Sequence, residues 1–494
     1  MMKSFLMTVL SAGVLLVSGV AVGADEKKMN VLFIAVDDLR PDLGAYGNQE
    51  VKSPNIDRLA KDGVVFNRAY CQFPLCNPSR ASLLAGKRPE TLGIMDLKTN
   101  LRQTHPDLVT LPQLFKKNGY HSLSIGKIFH ITNGNFHDFE SFSELPFPLP
   151  KNVTSGTTVE AAQKNILKAA SEGKAGNKPG EKGRPWNNPD VADDGLADGR
   201  TARKAVEKLR ENKDRPFFMA VGFHKPHMPF TAPKKYWDLY DPALVELAMN
   251  QYDPKGAPEW ASNQASELRR YKGVNKEGPI AAKLQRELRH GYLACISYVD
   301  AQVGLLLDEL DSLGLRENTI VILWGDHGYQ LGEHATWNKR TTWEITSRVP
   351  MIISVPGGKD NGKRTDALVE FVDIYPSLAE LCGLTPPADL EGTSFVPLVE
   401  NTERPWKTAA FTTYTENKDD VGRVTARAMR TDQYRVIEWE IKGQAERVYE
   451  LYDQKADPQG NVNLANDTDK EKLMEELAAQ LAKGWKGNVP PAAE

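Results

Sequence analysis

The chain has 494 residues, 62 of them Lys or Arg and 65 Asp or Glu, giving a formal charge of −3, with 40% hydrophobic and 26% charged residues. This globular composition excludes collagen, a disordered tail protein and a disulfide-stapled mini-protein. Near-neutral charge removes any global argument for nucleic-acid binding, so no nucleic-acid partner is expected.

The first element is an export signal. Lys3 supplies a positive start, an apolar stretch runs from Ser4 to Val22, small residues follow through Ala24, and charge begins at Asp25. Residues 1–24 read as a secretory signal peptide cut after Gly23 or Ala24, and the protein is expected to be exported, periplasmic or secreted. An uncleaved anchor is the alternative, but the stretch is short for a span of ~20 apolar residues. No Cys stands directly after the stretch, so a bacterial lipoprotein is not expected, and no later run is apolar enough for a stable membrane span.

Asn30 to Val36 reads as a strand buried on both faces, and Ser53-Pro54 as the cap and first residue of a helix. His121 to Ile125 is a weaker strand and Phe217 to Phe223 a strong one. Ala281 to Leu313 is a long amphipathic helical region. Thr319 to Trp324 and Met351 to Val355 are buried strands, and Val372 to Cys382 is a helix. Strands alternating with helices imply an α/β fold, a large mostly parallel sheet flanked by helices, over residues 25–405.

Two segments interrupt the rhythm. Pro146 to Arg215, with helices around Val159 to Glu172 and after Asp198, reads as a long insertion over the surface, and Tyr252 to Gly278 as a second, charged one. From about Phe411 the pattern changes. Thr425 to Met429, Tyr434 to Trp439 and Arg447 to Tyr452 look like antiparallel strands, and Asp469 to Trp485 like a closing helix. A small C-terminal α+β subdomain is expected over 406–494. Of the cysteines, Cys295 and Cys382 read as plain buried thiols, whereas Cys71 could bridge to Cys76.

In an open parallel sheet, ligands bind beyond the carboxyl ends of the strands. Asp37 and Asp38 follow the first strand, and Lys127 and His130 follow the weak one. His224, Lys225 and His227 follow the third, and Asp326, His327 and then His334 follow the fourth. The coincidence of four such strand ends marks an active site. Asp37, Asp38, Asp326 and His327 have the look of a metal site. Carboxylates favour Ca²⁺ or Mg²⁺, and the imidazole keeps Zn²⁺ or Mn²⁺ open. Paired Asp residues after a strand also form turns and caps, which is the structural alternative.

The sharpest local motif is Cys76-Asn77-Pro78-Ser79-Arg80. Pro78 can start a helix, which puts Cys76 at a helix N-terminus suited to an anion, with Arg80 one turn on. Lys87-Arg88 reads as a solvated face.

Cys-x-Pro-Ser-Arg is the sulfatase signature, and the chain resembles a type I sulfatase of the alkaline-phosphatase superfamily. The spacing of Asp37-Asp38, Cys76 to Arg80, Gly126 to His130, His224 to His227, Asp326-His327-Gly328 and Lys339 is similar to that of iduronate 2-sulfatases. The resemblance implies that Cys76 is oxidised to formylglycine by a formylglycine-generating or equivalent modifying enzyme. A hydrated aldehyde offers two hydroxyls on one carbon. One attacks sulfur in line, and deprotonating the other expels sulfate.

The resemblance also implies that Asp37, Asp38, Asp326, His327 and the converted Cys76 hold one divalent cation, Ca²⁺. Arg80 and Lys127 would hold the hydroxyl and the sulfate charge, and His130 would take a proton. His224 or Lys339 would contact sulfate and protonate the leaving oxygen. His227 and His334 fit second-rank or structural roles. The substrate implied is a sulfated carbohydrate, a 2-O-sulfated uronic acid of heparan or dermatan type. A phosphatase or phosphodiesterase on the same fold is one rival, and a non-catalytic secreted carbohydrate-binding protein with unmodified Cys76 is another. Asp326→Asn is expected to weaken metal binding and turnover with little effect on metal-free stability.

Overall fold

The computed structural model describes residues 28–130, 138–149, 153, 156–171, 183–262, 267–419 and 421–491. The expected signal peptide, 1–24, lies outside the described residues. The large sheet has seven strands: β1 (Asn30–Asp37), β2 (Val64–Tyr70), β3 (His121–Gly126), β4 (Phe217–Pro226), β5 (Thr319–Gly325), β6 (Arg348–Ser354) and β7 (Arg364–Glu370). Their order is β3-β4-β1-β5-β6-β2-β7. β3, β4, β1 and β5 are mutually parallel neighbours. β6 runs antiparallel to both β5 and β2, and β2 and β7 are parallel, so the sheet is mostly parallel.

The described helices include α1 (Pro54–Lys61), α2 (Cys76–Ala85), α3 (Val159–Ser171), α4 (Ala197–Asn212), α5 (Ala282–Ser312) and α6 (Ile374–Leu381). Alternate residues of β1 point to opposite faces. Leu32, Ile34 and Val36 join a core with α1, α4 and α5, while Val31, Phe33 and Ala35 join a second core with α2 and α6. Both faces are covered, which is why β1 reads as an unbroken apolar run.

Local details differ from the sequence reading. Ala202, Ala205 and Leu209 of α4 are buried in the first core, so this helix belongs to the covering layer rather than to a surface insertion. Its apolar stripe recurs at helical spacing and has to be buried. Ser53 precedes α1 without capping it. Its hydroxyl accepts from Gly44 N–H at 3.0 Å and donates to Asp57 at 3.2 Å. Arg88 is buried on Glu370 at 2.9 Å, not solvated, whereas Lys87 makes a surface pair with Asp389. All four cysteines are free thiols, so Cys71 does not bridge to Cys76, and Cys382 is only half-buried. No helix among the described residues is long and apolar enough to cross a membrane.

The C-terminal sheet, β8 (Ala410–Lys418), β9 (Gly422–Arg430), β10 (Tyr434–Ile441) and β11 (Arg447–Asp453), is antiparallel in chain order. One face packs Met429, Val436 and Leu451 on Met474, Leu477 and Leu481 of α7 (Glu471–Lys483). The other places Ala426, Ile437, Trp439 and Tyr452 against Phe73, Leu75 and Trp343. That second face abuts the segments leading to Cys76 and following Lys339.

Candidate active site

Because β3, β4, β1 and β5 are adjacent and parallel, their carboxyl ends lie along one edge of the sheet. Asp37 ends β1 and Asp38 turns away from it with φ 59°, the left-handed region that Asp tolerates better than most residues. Three hydrogen bonds surround that turn. Asp38 N–H donates to Asp326 Oδ1 at 3.0 Å. Tyr292 Oη, from α5, donates to Asp38 O at 2.8 Å and accepts from Arg40 N–H at 3.1 Å. Glycine is required beside Lys127. A Cβ on Gly222 would lie 1.9 Å from Lys127 O, and one on Gly126, at φ 80°, would lie 2.0 Å from Gly222 O. Lys127 N–H instead donates to Gly222 O at 2.8 Å, which fixes the turn after β3.

Cys76 opens α2 after an extended Leu75. Its Sγ lies 3.2 Å from His327 Nε2. His327 Nδ1 is 3.0 Å from the Gly328 carbonyl, which can only accept. The proton therefore sits on Nδ1, and the Nε2 lone pair faces Cys76. Asp37, Asp38, Cys76 and His327 each offer a donor atom within 4.8 Å of the others, and all four residues are buried. Asp326 lies beside this group, with Oδ2 3.7 Å from His327 Nε2. Its oxygens also accept from Asp38 N–H, His327 N–H and Arg80 Nε. Hard carboxylate oxygens and one imidazole lone pair fit a divalent cation, with the Cys76 position as a further donor.

Three cations balance the three carboxylates. Arg80 is fully buried. It donates to Asp326 at 2.8 Å, to Asp37 at 3.3 Å, and to the carbonyls of Lys127 and Ile128 at 2.6 and 3.0 Å. Four of its five N–H donors brace the strand ends in this way. Lys127 pairs with Asp37, and Lys339 Nζ lies 2.8 and 2.9 Å from the two oxygens of Asp38. Glu267, from the second insertion, is 3.7 Å from the same ammonium.

Burial raises the Asp37 carboxyl, but Lys127, His227 and Arg80 outweigh it and hold the group well below its ordinary value. Burial, helped by Asp37 and Asp326, pushes Asp38 up to about 6 against Lys339 and His327. Burial and then Asp37 push the Cys76 thiol well above its usual range. Gathering three desolvated carboxylates is costly, and a bound cation offsets that cost.

The histidines separate by environment. His130 is buried, and burial followed by Lys127 holds its imidazole well below the ordinary value. His227 Nδ1 meets Met228 O at 2.6 Å, and its Nε2 faces Asp38 at 3.9 Å. Burial and Lys339 bring His227 down to about 3. His224 is 37% exposed, with Asp198 behind it. His334, at φ 52°, accepts no part in the cluster. Its Nε2 meets Gln459 O at 2.9 Å and its ring packs on Trp343, tying the loop to the C-terminal subdomain.

The structure thus brings together Asp37, Asp38, Cys76, Arg80, Lys127, Asp326, His327 and Lys339, with His227 alongside. Tyr292, Glu267 and Asp198 carry no local sequence signal that marks them as part of this region. A tyrosine inside an amphipathic helix reads as core, and an acid in a first helical turn reads as a partner of the helix dipole.

Residues 29–384 match the family described as Sulfatase, and residues 332–486 match the N-sulphoglucosamine sulphohydrolase C-terminal family. The iduronate 2-sulfatase of Mus musculus is 36% identical over 391 residues, covering 73% of this chain and 69% of that protein. Two solved structures share the fold with TM-scores of 0.71. One is a complex with the substrate D-glucosamine-2-N,6-O-disulfate, at 22% identity, covering 95% of this chain and 100% of that one. The other is the phosphonate monoester hydrolase of Agrobacterium radiobacter, at 21% identity, covering 94% and 100%. The family match over most of the chain, on a mostly parallel sheet of the alkaline-phosphatase superfamily type, makes this protein a member of the sulfatase family and a sulfuric ester hydrolase.

Proposed function

We propose that this sulfatase removes the 2-O-sulfate of a uronic acid in a glycosaminoglycan of heparan or dermatan type, using a formylglycine made from Cys76 and one bound Ca²⁺. The observation that carries the reading is the group Asp37, Asp38, Cys76 and His327, a single-ion donor set with a cysteine as the residue facing it. The relative named an iduronate 2-sulfatase supports the sugar. Export through the segment 1–24 belongs to the same proposal and suits a polymeric extracellular substrate.

The divalent ion supplies Lewis-acid polarisation, and a hydrated formylglycine supplies a hydroxyl nucleophile together with a second hydroxyl for release of sulfate. The chain's own residues do the rest. Asp37, Asp38 and His327 hold the ion, with Asp326 behind them. Lys127 and Lys339 each keep donors for sulfate oxygens after pairing with their aspartates. His130, kept neutral by its surroundings, is in the state to accept a proton from residue 76. His224, more than one-third exposed near the carboxyl end of β4, is the residue assigned to protonate the leaving alkoxide.

The test has three arms. The tryptic peptide from Ala69 to Arg80 is weighed for conversion of Cys76. Sulfate release from 4-nitrocatechol sulfate is set against phosphate release from nitrophenyl phosphate. Sulfate release is then measured from defined unsaturated disaccharides. Conversion with sulfate release from 2-O-sulfated disaccharides is the expected result. Activity on 6-O- or N-sulfate alone removes the sugar assignment, and an intact thiol with full turnover removes the formylglycine.

A further inference from the structure

Among the described residues, Asp198 is a buried carboxylate that the site described above does not use. It stands in the first turn of α4, and its side chain is 1% exposed. Oδ1 accepts the backbone N–H of His224 at 2.9 Å, and Oδ2 accepts that of Lys225 at 2.8 Å. Oδ1 also lies 3.8 Å from His224 Nδ1, an ion-pair distance rather than a hydrogen bond. One carboxylate thus grips the backbone of His224 and faces the inner nitrogen of its ring. The ring is more than one-third exposed, whereas the acid has no water to turn to.

The other histidine on this strand end is held differently. His227 Nδ1 meets a neutral carbonyl, that of Met228. A carbonyl fixes a tautomer, but only a carboxylate also stabilises the imidazolium. His224 has such a partner at Nδ1. Burial raises the Asp198 carboxyl, but the His224 ring beside it and the backbone N–H groups of His224 and Lys225 hold it below its ordinary value, so the acid is ionised at neutral pH.

We infer that Asp198 is a positioning residue that keeps His224 with its Nδ1–H turned inward and its Nε2 turned to the cleft, so that His224 can protonate the oxygen leaving sulfur. This rests on the proposed role of His224 as general acid. As the bond from sulfur to the sugar oxygen breaks, its electron pair stays on that oxygen, which takes the Nε2 proton. A neutral imidazole remains, with its Nδ1 proton facing Asp198, and the ring is reprotonated from solvent. The need for this proton scales with the basicity of the leaving oxygen. A sugar alkoxide needs it most, and 4-nitrophenolate needs it little.

The test uses the full chain, 4-nitrophenyl sulfate and phenyl sulfate, and the variants Asp198→Asn, His224→Ala and the double variant. The readout is the ratio of kcat/KM for the two esters. That ratio is independent of how much of a preparation is folded. Asp198→Asn is expected to lower kcat/KM for phenyl sulfate by about 10- to 100-fold, a part of what general acid catalysis supplies, and for 4-nitrophenyl sulfate by about threefold or less. The double variant is expected to be no slower on phenyl sulfate than His224→Ala. If Asp198→Asn lowers both esters equally, or neither, while His224→Ala is selective, the inference about Asp198 is overturned and the role of His224 stands. If His224→Ala shows no selectivity, the role of His224 itself is wrong, and Asp198 falls with it.

Discussion

Asp326, just beyond β5, accepts the backbone N–H of Asp38, just beyond β1, at 3.0 Å. One strand end thereby sets the backbone of its neighbour. The same carboxylate is ion-paired with the fully buried Arg80 at 2.8 Å. This changes what Asp326→Asn should do. The sequence alone suggests a ligand whose loss leaves metal-free stability nearly intact. The structure shows a buried charge pair, and removing one partner of such a pair costs about 3–5 kcal/mol. The variant should lose turnover and also melt at lower temperature with chelator present. An unshifted metal-free melting curve would show that Asp326 is only a ligand.

Tyr292→Phe tests the support beneath Asp38. The hydroxyl bonds Asp38 O and Arg40 N–H, and without it two buried backbone groups lose their partner. Each such loss costs about 1–3 kcal/mol. Asp38 sits in a left-handed turn that these bonds help to hold. Weaker Ca²⁺ binding by calorimetric titration is expected, together with reduced stability. Unchanged affinity would mean that the Asp326 bond alone suffices.

Much of this fold was readable because β1, β4 and β5 are buried on both faces and therefore uninterrupted in hydrophobicity. β2 escaped notice because Asn67 and Arg68 break its apolar run where its pairing with β6 and β7 also loses register. β7 escaped because, at the sheet edge, it carries Arg364 and Asp366. The carboxylates, Lys127 and His327 were legible because each directly follows a strand. Tyr292 and Asp198 were not. They reach the same edge from helices, and nothing local distinguishes them from a core aromatic and a first-turn acid.

Glu344 gives the protein an acid-sensitive contribution. Burial raises its pKa, but Arg435 and Arg430, at 2.7 and 3.1 Å, bring it down to about 2 from 4.5. A carboxylate with a lowered folded-state pKa stabilises above its unfolded value and loses that stabilisation as pH falls toward the folded value. The shift corresponds to about 3 kcal/mol, present above pH 4.5 and lost toward pH 2. Glu344→Gln should flatten the fall in unfolding free energy across that window. An identical acid limb in wild type and variant would contradict this.

The divalent ion should report on folding as well as on chemistry. A ligand that binds only the native state, at 100 times its dissociation constant, adds about 2.7 kcal/mol. Ca²⁺ added to chelated protein should therefore raise Tm and restore sulfate release together. Because Asp37, Asp38 and His327 all contribute donor atoms, Asp37→Asn should blunt both responses. A Tm indifferent to every divalent ion would remove the metal from the site.

The loop bearing Lys339 is held across the junction between the two sheets. His334 meets Gln459, Trp343 Nε1 donates to Glu450 at 3.2 Å, and Arg435 donates to Thr342 O at 2.6 Å. Lys339 thus owes its place to strands from the far end of the chain. A shortened enzyme ending near residue 405, or a chimera that borrows its tail from a relative, would inherit an ammonium group without its mooring. In this protein, an exchange that parts the loop from the tail would break all three bonds at once.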